Sequence, residues 1–175
     1  MASKLSSKLF AVVAGAGPGT GRACAIRFSK AYPVVLLTRT AESYKDTVAE
    51  INNAGGKAIE AVPESEHPPS LLITGATASI RGSYLFSTMA ASMFARRALG
   101  QSLAREFGPK GVHVAHAIVD GVIDIPRTSH YSVNNGAEDG KIRADAIAES
   151  YWNLHTQHRS AFTQEIDIRP YVEKF

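Results

Sequence analysis

Phe10-Ala-Val-Val-Ala14-Gly15-Ala-Gly17-Pro-Gly19-Thr-Gly21-Arg22 is the stretch whose reading decides the fold. A short apolar run, read as a buried parallel strand, enters a turn with glycines at every second position. Ala23-Cys-Ala-Ile-Arg-Phe28 then reads as a helix. Strand, glycine turn and helix N-terminus make a phosphate cradle: glycines let the backbone approach an anion, and unpaired helix N–H groups with the helix dipole attract it. Gly15, Gly17 and Thr20 fail the G-x-G-x-x-G pattern, whereas Gly15, Gly19 and Gly21 fit G-x-x-x-G-x-G. Glycine-rich turns also follow strands without any ligand, and it is the strand-before, helix-after context that favours a nucleotide here.

Working outward, Pro33-Val-Val-Leu-Leu-Thr38 reads as a second buried strand ending at Arg39. Thr40 caps a helix with Tyr44, Val48 and Ile51 on one face, and Gly55-Gly56 stops it. Ala58-Ile-Glu-Ala-Val62 is a third, shorter strand. This alternation is half of a doubly wound α/β sheet. Arg39 stands at the end of the second strand, where a carboxylate would bind a ribose 2′-hydroxyl and an arginine attracts a 2′-phosphate. Arg22 adds a second positive charge, so the pair favours NADP over NAD; the alternative is two ordinary solvated arginines.

Pro63-Glu-Ser-Glu-His-Pro-Pro-Ser70 reads as an extended linker, and Leu71-Leu-Ile-Thr-Gly75 as another strand. A parallel crossover ordinarily takes a dozen residues or more. Eight extended residues reach at most ~28 Å against a diagonal of ~22 Å across strands, so the link is taut and brings no helix to cover the sheet. A long helix is expected from Gly82 to Phe107, with Phe86, Met89, Ala90, Met93 and Phe94 on one face, continued by Leu99, Leu103 and Phe107. Gly108-Pro109 ends it. Gly111 to Val119 is a strand, Asp120-Gly121 opens a loop, and Thr128 to Lys141 reads as a polar, mobile loop at the sheet's carboxyl edge. Asp145 caps a helix through Leu154 carrying Ile147, Tyr151 and Trp152, and Ala161 to Ile168 forms a last strand.

Composition bounds the reading. At 175 residues, 45% hydrophobic and 20% charged, the chain suits a single domain, residues 1–175, with a real core. A net charge of +3 without a basic run interleaved with aromatics argues against nucleic acid. The apolar stretches are too short to span a bilayer, and Met1–Leu9 makes no convincing signal peptide, so a cytoplasmic, membrane-free protein is expected. Cys24, among alanines in the first helix, reads as a small buried hydrophobe. His113 and His116 face opposite sides of a strand, and no metal set is expected.

The glycine turn 15–21, the Leu71–Ser79 strand and turn, Gln101-Ser-Leu-Ala-Arg-Glu106 and Gly111–Gly121 resemble the short-chain dehydrogenase/reductase superfamily. The tail, with Tyr151-Trp-Asn-Leu-His and Phe162-Thr-Gln-Glu-Ile-Asp-Ile-Arg-Pro-Tyr, is similar to a bacterial and fungal branch whose substrates are mostly undefined. The resemblance implies a Rossmann-like doubly wound parallel sheet and an NADP-dependent oxidoreductase acting on a carbonyl or alcohol of a small metabolite in a biosynthetic setting. Gly15, Gly17, Gly19, Thr20, Gly21, Arg22 and Arg39 form the cofactor-binding set. The resemblance also implies a homo-oligomer through the long helix 84–107.

Two departures stand against it. The family's central strand and its flanking helices, roughly 45–60 residues, are absent, replaced by Pro63–Ser70; Asn52-Asn-Ala-Gly55 reads as a helix cap, not as the displaced family motif. The family's Tyr-x-x-x-Lys pair falls on Met89 and Met93, which have no proton to give and no charge to shift a neighbour. The substrate-orienting serine falls near Ala76, with Thr77 and Ser79 the nearest hydroxyls; the Pro-Gly turn reads Asp120-Gly121, and a following threonine is Ile125. Tyr84 is the nearest phenol, and Arg96 and Arg97 are placed away from the methionine face. No catalytic residue is assigned. The alternatives to an enzyme are a non-catalytic nucleotide-binding or regulatory relative, and a shortened product of a longer gene.

Overall fold

The computed structural model describes residues 10–14, 18–37, 45–56 and 67–174. Their contacts divide into two compact units. The first contains β1 (Ala11–Ala14), α1 (Thr20–Ser29), β2 (Val34–Leu37) and α2 (Lys45–Asn53), together with residues 123–130 and 143–152. β1 and β2 pair in parallel, Ala11 beside Val34 and Ala14 beside Leu37. Ala25, Val34 and Ile51 form the buried centre, with Ala11, Val13, Ile26, Phe28 and Leu36 packed round it. α2 ends as expected: Gly55 has φ +84°, and the N–H groups of Gly55 and Gly56 donate to the carbonyls of Asn52 and Ile51. The expected third strand, 58–62, and the helix start at Thr40 and Tyr44 lie outside the described residues.

The second unit is built on three parallel strands. β3 (Ser70–Ala76) pairs with β4 (His113–Val119), and β7 (Glu165–Ile168) pairs with the other side of β4. Between β4 and β7 in chain order come β5 (Ile123–Asp124), β6 (Ile142–Arg143) and α4 (Ala144–His155), of which β5 and most of α4 belong to the first unit. β4 is buried along all seven residues, the mark of a strand covered on both faces. Within the first unit, the start of α4 buries Ile147, Ala148 and Tyr151, while Phe28 meets the Trp152 ring edge-on and Arg27 lies 4.2 Å over it.

α3 (Ser87–Phe107) corrects the expected helix in two ways. It starts five residues late, because Leu85 takes φ +64°, a left-handed conformation no helix can contain. Its inward stripe is Ala90, Met93, Arg97, Gly100, Ala104 and Phe107, whereas Phe86, Met89, Phe94 and Leu99 are exposed. Small residues set this choice: a Cβ on Gly100 would stand 3.0 Å from Ile73 Cδ1, so the helix rides close on β3. Arg97, expected to point away, lies on the stripe one turn beyond Met93. Asp145 sits inside the first turn of α4 rather than before it, with its carboxylate on Arg143 and on the Ala146 N–H. The expected mobile stretch 128–141 follows a 3₁₀ turn at Pro126–Thr128 and holds another at Asn134–Gly136, where the Asn134 amide donates to Gly140 O and Glu173 Oε2.

Gly75 lies beneath α3, where a methyl group would overlap the His116 ring and stand 2.6 Å from Ser79 Oγ. Both neighbours are buried and their rotamers are fixed by hydrogen bonds. Gly75→Ala is therefore expected to destabilise the protein by about 3 kcal/mol, measured as a lower urea midpoint; an unchanged midpoint would contradict this packing.

Candidate functional site

The described part of the glycine turn is a helix start left open. Gly19 occupies the position before α1 with φ +132°, a conformation that favours glycine, and Ile125 lies against it, 3.2 Å from where a Cβ would be. No side chain caps α1, and its first turn carries no acidic residue. The Ala23 N–H is the first to find a carbonyl in this turn, that of Gly19. The preceding N–H groups of Thr20, Gly21 and Arg22 are those a helix cannot satisfy internally. Thr20 Oγ1 is buried with no hydrogen-bond partner among the described residues. N–H groups without an intrahelical acceptor, a positive dipole end and a hydroxyl unpartnered among the described residues fit a phosphate group.

Gly15, Gly17 and Arg39 lie outside the described residues. Arg22 does not stand free: its guanidinium is paired with Glu50 of α2. Cys24 is buried, and burial pushes its thiol up to about 12, which suits the inert role expected of it.

A second polar cluster belongs to the carboxyl edge of the three-stranded sheet. Thr77 follows β3, Asp120 follows β4 and Arg169 follows β7. The Thr77 hydroxyl donates to Asp120 Oδ1, and Arg169 Nη1 stands 3.0 Å from Asp120 Oδ2 while its other nitrogens hold Asp167. Ser79, the other hydroxyl near the Ala76 position, is fully buried and accepts the Ala76 N–H. Met89 is exposed and Met93 half-buried; Tyr84 is 89% exposed, so no packed cation or base surrounds the phenol to activate it.

Beneath α3, Arg97 makes two 2.7 Å bonds to Glu165, and the His116 Nδ1–H donates to the same carboxylate at 2.9 Å. The Arg97 guanidinium, chiefly, holds the Glu165 carboxyl below its usual range. At the opposite edge, each ring nitrogen of buried His113 faces a backbone carbonyl, Leu154 O at 2.9 Å and Thr163 O at 2.8 Å. His155 lies 2.7 Å from Ser70 Oγ. Burial, followed by the charges of His67 and His113, lowers the His155 ring to about 4. No group of three or more metal-ligating side chains exists among the described residues, and none of their helices is long and apolar enough to cross a membrane.

No protein-family model and no curated protein matches the sequence. Solved structures do. A short-chain dehydrogenase from Rhodopseudomonas palustris is similar at 26% identity and TM-score 0.71, over 93% of this chain and 98% of that one. By fold the chain belongs to the short-chain dehydrogenase/reductase superfamily, in a shortened form. Other members of that superfamily extend the comparison. A candidate NAD(P)-dependent gluconate 5-dehydrogenase from Beutenbergia cavernae, with bound NADP, is 16% identical with TM-score 0.74, covering 95% of this chain and 97% of that one. A candidate 2-deoxy-D-gluconate 3-dehydrogenase from Agrobacterium tumefaciens, also with bound NADP, is 15% identical with TM-score 0.76, covering 95% and 96%.

Sequence reasoning singled out the glycine turn and missed the Thr77–Asp120–Arg169 and Arg97–Glu165–His116 clusters. Asp120 in place of the family's proline was the one local signal; the other contacts join residues distant in sequence.

The lowered His155 ring has a consequence for stability. The unfolded chain takes up the proton near pH 6.5 and the folded chain only near 4, so stability is complete above 6.5 and falls as the pH drops toward 4. Relative to His155→Asn, the protein is expected to lose roughly 3 kcal/mol over that window, read from urea midpoints at stepped pH; parallel curves would contradict the burial of a neutral ring.

Proposed function

We propose that this chain is an NADP-dependent oxidoreductase acting on a carbonyl or alcohol group of a small metabolite. The observation that carries the reading is the uncapped start of α1, with Thr20 Oγ1 buried and unpartnered among the described residues, behind a glycine in positive φ. Gly15, Gly17, Gly19, Thr20 and Gly21 would hold the pyrophosphate on backbone N–H groups. When bound, the nicotinamide nucleotide supplies or takes the hydride. Arg39 supports NADP over NAD, as do the two neighbours solved with NADP; Arg22, engaged by Glu50, supports it less. The exposed Leu85, Phe86, Met89, Phe94 and Leu99 support self-association through helix 84–107.

A second reading is a nucleotide-binding relative without turnover. Met89 and Met93, which cannot donate a proton or shift a neighbour's charge, favour it. The junction Pro63–Ser70 favours, in addition, a product shortened from a longer gene.

NADPH fluorescence titration tests the shared part. Saturable binding is expected in the native sequence, stronger for NADPH than for NADH. Gly19→Val, which puts a branched side chain at φ +132° against Ile125, is expected to weaken it by about tenfold or more with the fold retained by circular dichroism. Equal binding by the variant, or none by the native sequence, would overturn the reading.

A further inference from the structure

We propose that the amino edge of the three-stranded sheet carries a binding site for a small planar anion, an aromatic carboxylate or an aromatic phosphate ester, held by Lys110 and Arg159 against the ring of Phe162. The inference is independent of the nucleotide reading, because every residue it uses belongs to the second compact unit.

Topology brings the site together. β4 and β7 are parallel neighbours, so the turns that feed them share one edge, opposite to the edge of Thr77, Asp120 and Arg169. The 3₁₀ turn Gly108–Lys110, continued by Gly111, leads into β4, and residues 159–162 lead toward β7. Between these two turns lies a cleft of about 450 Å³, bordered by Gly108, Pro109, Lys110, Gly111, Arg159 and Phe162. That volume falls within the range of small-molecule sites. Its charge is of one sign. Lys110 and Arg159 come from distant parts of the sequence to the same concave surface, and no acidic side chain borders it. Among the described residues no carboxylate pairs with either cation. Lys110 Nζ lies 4.6 Å from the centre of the Phe107 ring, a contact that stations the ammonium without neutralising it. A cleft lined by one sign of charge concentrates the opposite sign.

The planar part of the ligand is selected by Phe162. Its ring stacks flat on His113, with centroids 4.2 Å apart and planes 1° from parallel. His113 is itself fixed between the carbonyls of Leu154 and Thr163, so the aromatic wall is in place before any ligand arrives. Phe162 is half-buried, which leaves part of the ring at the cleft. The other wall is backbone: a Cβ on Gly108 or Gly111 would meet nothing within 4 Å, so a flat molecule can approach the main chain there. Arg159 offers a planar fork that suits a carboxylate or a phosphate, and Lys110 adds a point charge beside it. Both carboxylates and phosphates satisfy this pair, and the aromatic body is what the ring of Phe162 adds.

The experiment titrates phenyl phosphate, benzoate and inorganic phosphate in turn into the isotope-labelled full chain and follows its amide signals. At least one ring-bearing probe is expected to saturate, moving the signals of Gly108, Gly111 and Phe162 together, and the tighter of the two identifies the anionic group. Inorganic phosphate, which lacks the ring, should bind about tenfold more weakly. Lys110→Ala and Arg159→Ala, both at exposed positions, should each weaken the ring-bearing probe by about tenfold or more, with the fold retained by circular dichroism. Arg81→Ala, an exposed cation away from the cleft, should change nothing. The assignment is overturned if neither ring-bearing probe saturates, or if inorganic phosphate binds as tightly as they do. Shifts confined to the signals of Thr20 and Gly21, or shifts that persist undiminished in both alanine variants, place the probe elsewhere and overturn it as well.

Discussion

β4 is buried from end to end, and the polar side chains on it and just past it must therefore find partners inside the protein. His113 does so between two backbone carbonyls, His116 on Glu165, and Asp120 on Thr77 and Arg169. Each solution recruits a different neighbour, and together they fix what stands on either side. Glu165 ties β7 to α3 through Arg97; the carbonyl of Leu154 ties the end of α4 to the start of β4. The buried strand thus acts as the spine of its unit because leaving any of these groups unpaired would cost more than ordering its partner.

The same requirement explains the small residues nearby. Gly75 has no side chain because the His116 ring occupies its space, and Gly100 has none because α3 must approach Ile73. A helix held this close contributes Arg97 rather than a hydrophobe to its inner stripe, which turns the larger apolar residues outward. In the other unit, α1 begins with N–H groups that a helix cannot satisfy internally and a threonine oxygen without a hydrogen-bond partner among the described residues. A helix start of this kind is where an anion is expected.

Much of this was legible in the sequence, and the exceptions share a cause. The strands at 11–14, 34–37, 70–76 and 113–119 followed from apolar runs bounded by glycine and proline, and the α2 cap from Asn52–Gly56. The start of α3 was misplaced because a left-handed Leu85 has no signature in composition. Its inner face was misassigned because hydrophobic periodicity predicts burial of Leu99 and Phe94, while close packing selected Ala90, Gly100 and Ala104. The site divided in the same way. The glycine turn is a local motif that a sequence can announce; the Thr77–Asp120 pair spans 43 residues and became visible only with the register of β3 on β4. Arg22 was read as a free cation because nothing local announces Glu50 as its partner.

The central claim is that the start of α1 holds the pyrophosphate of a dinucleotide, and amide resonances test it most directly. During titration of isotope-labelled protein with NADP⁺, the N–H signals of Thr20, Gly21 and Arg22 should move together and saturate, as donors acquiring an anionic acceptor do. If those signals stay in place while the nucleotide is at saturating concentration, the turn is a structural feature of the strand–helix junction and the account is wrong.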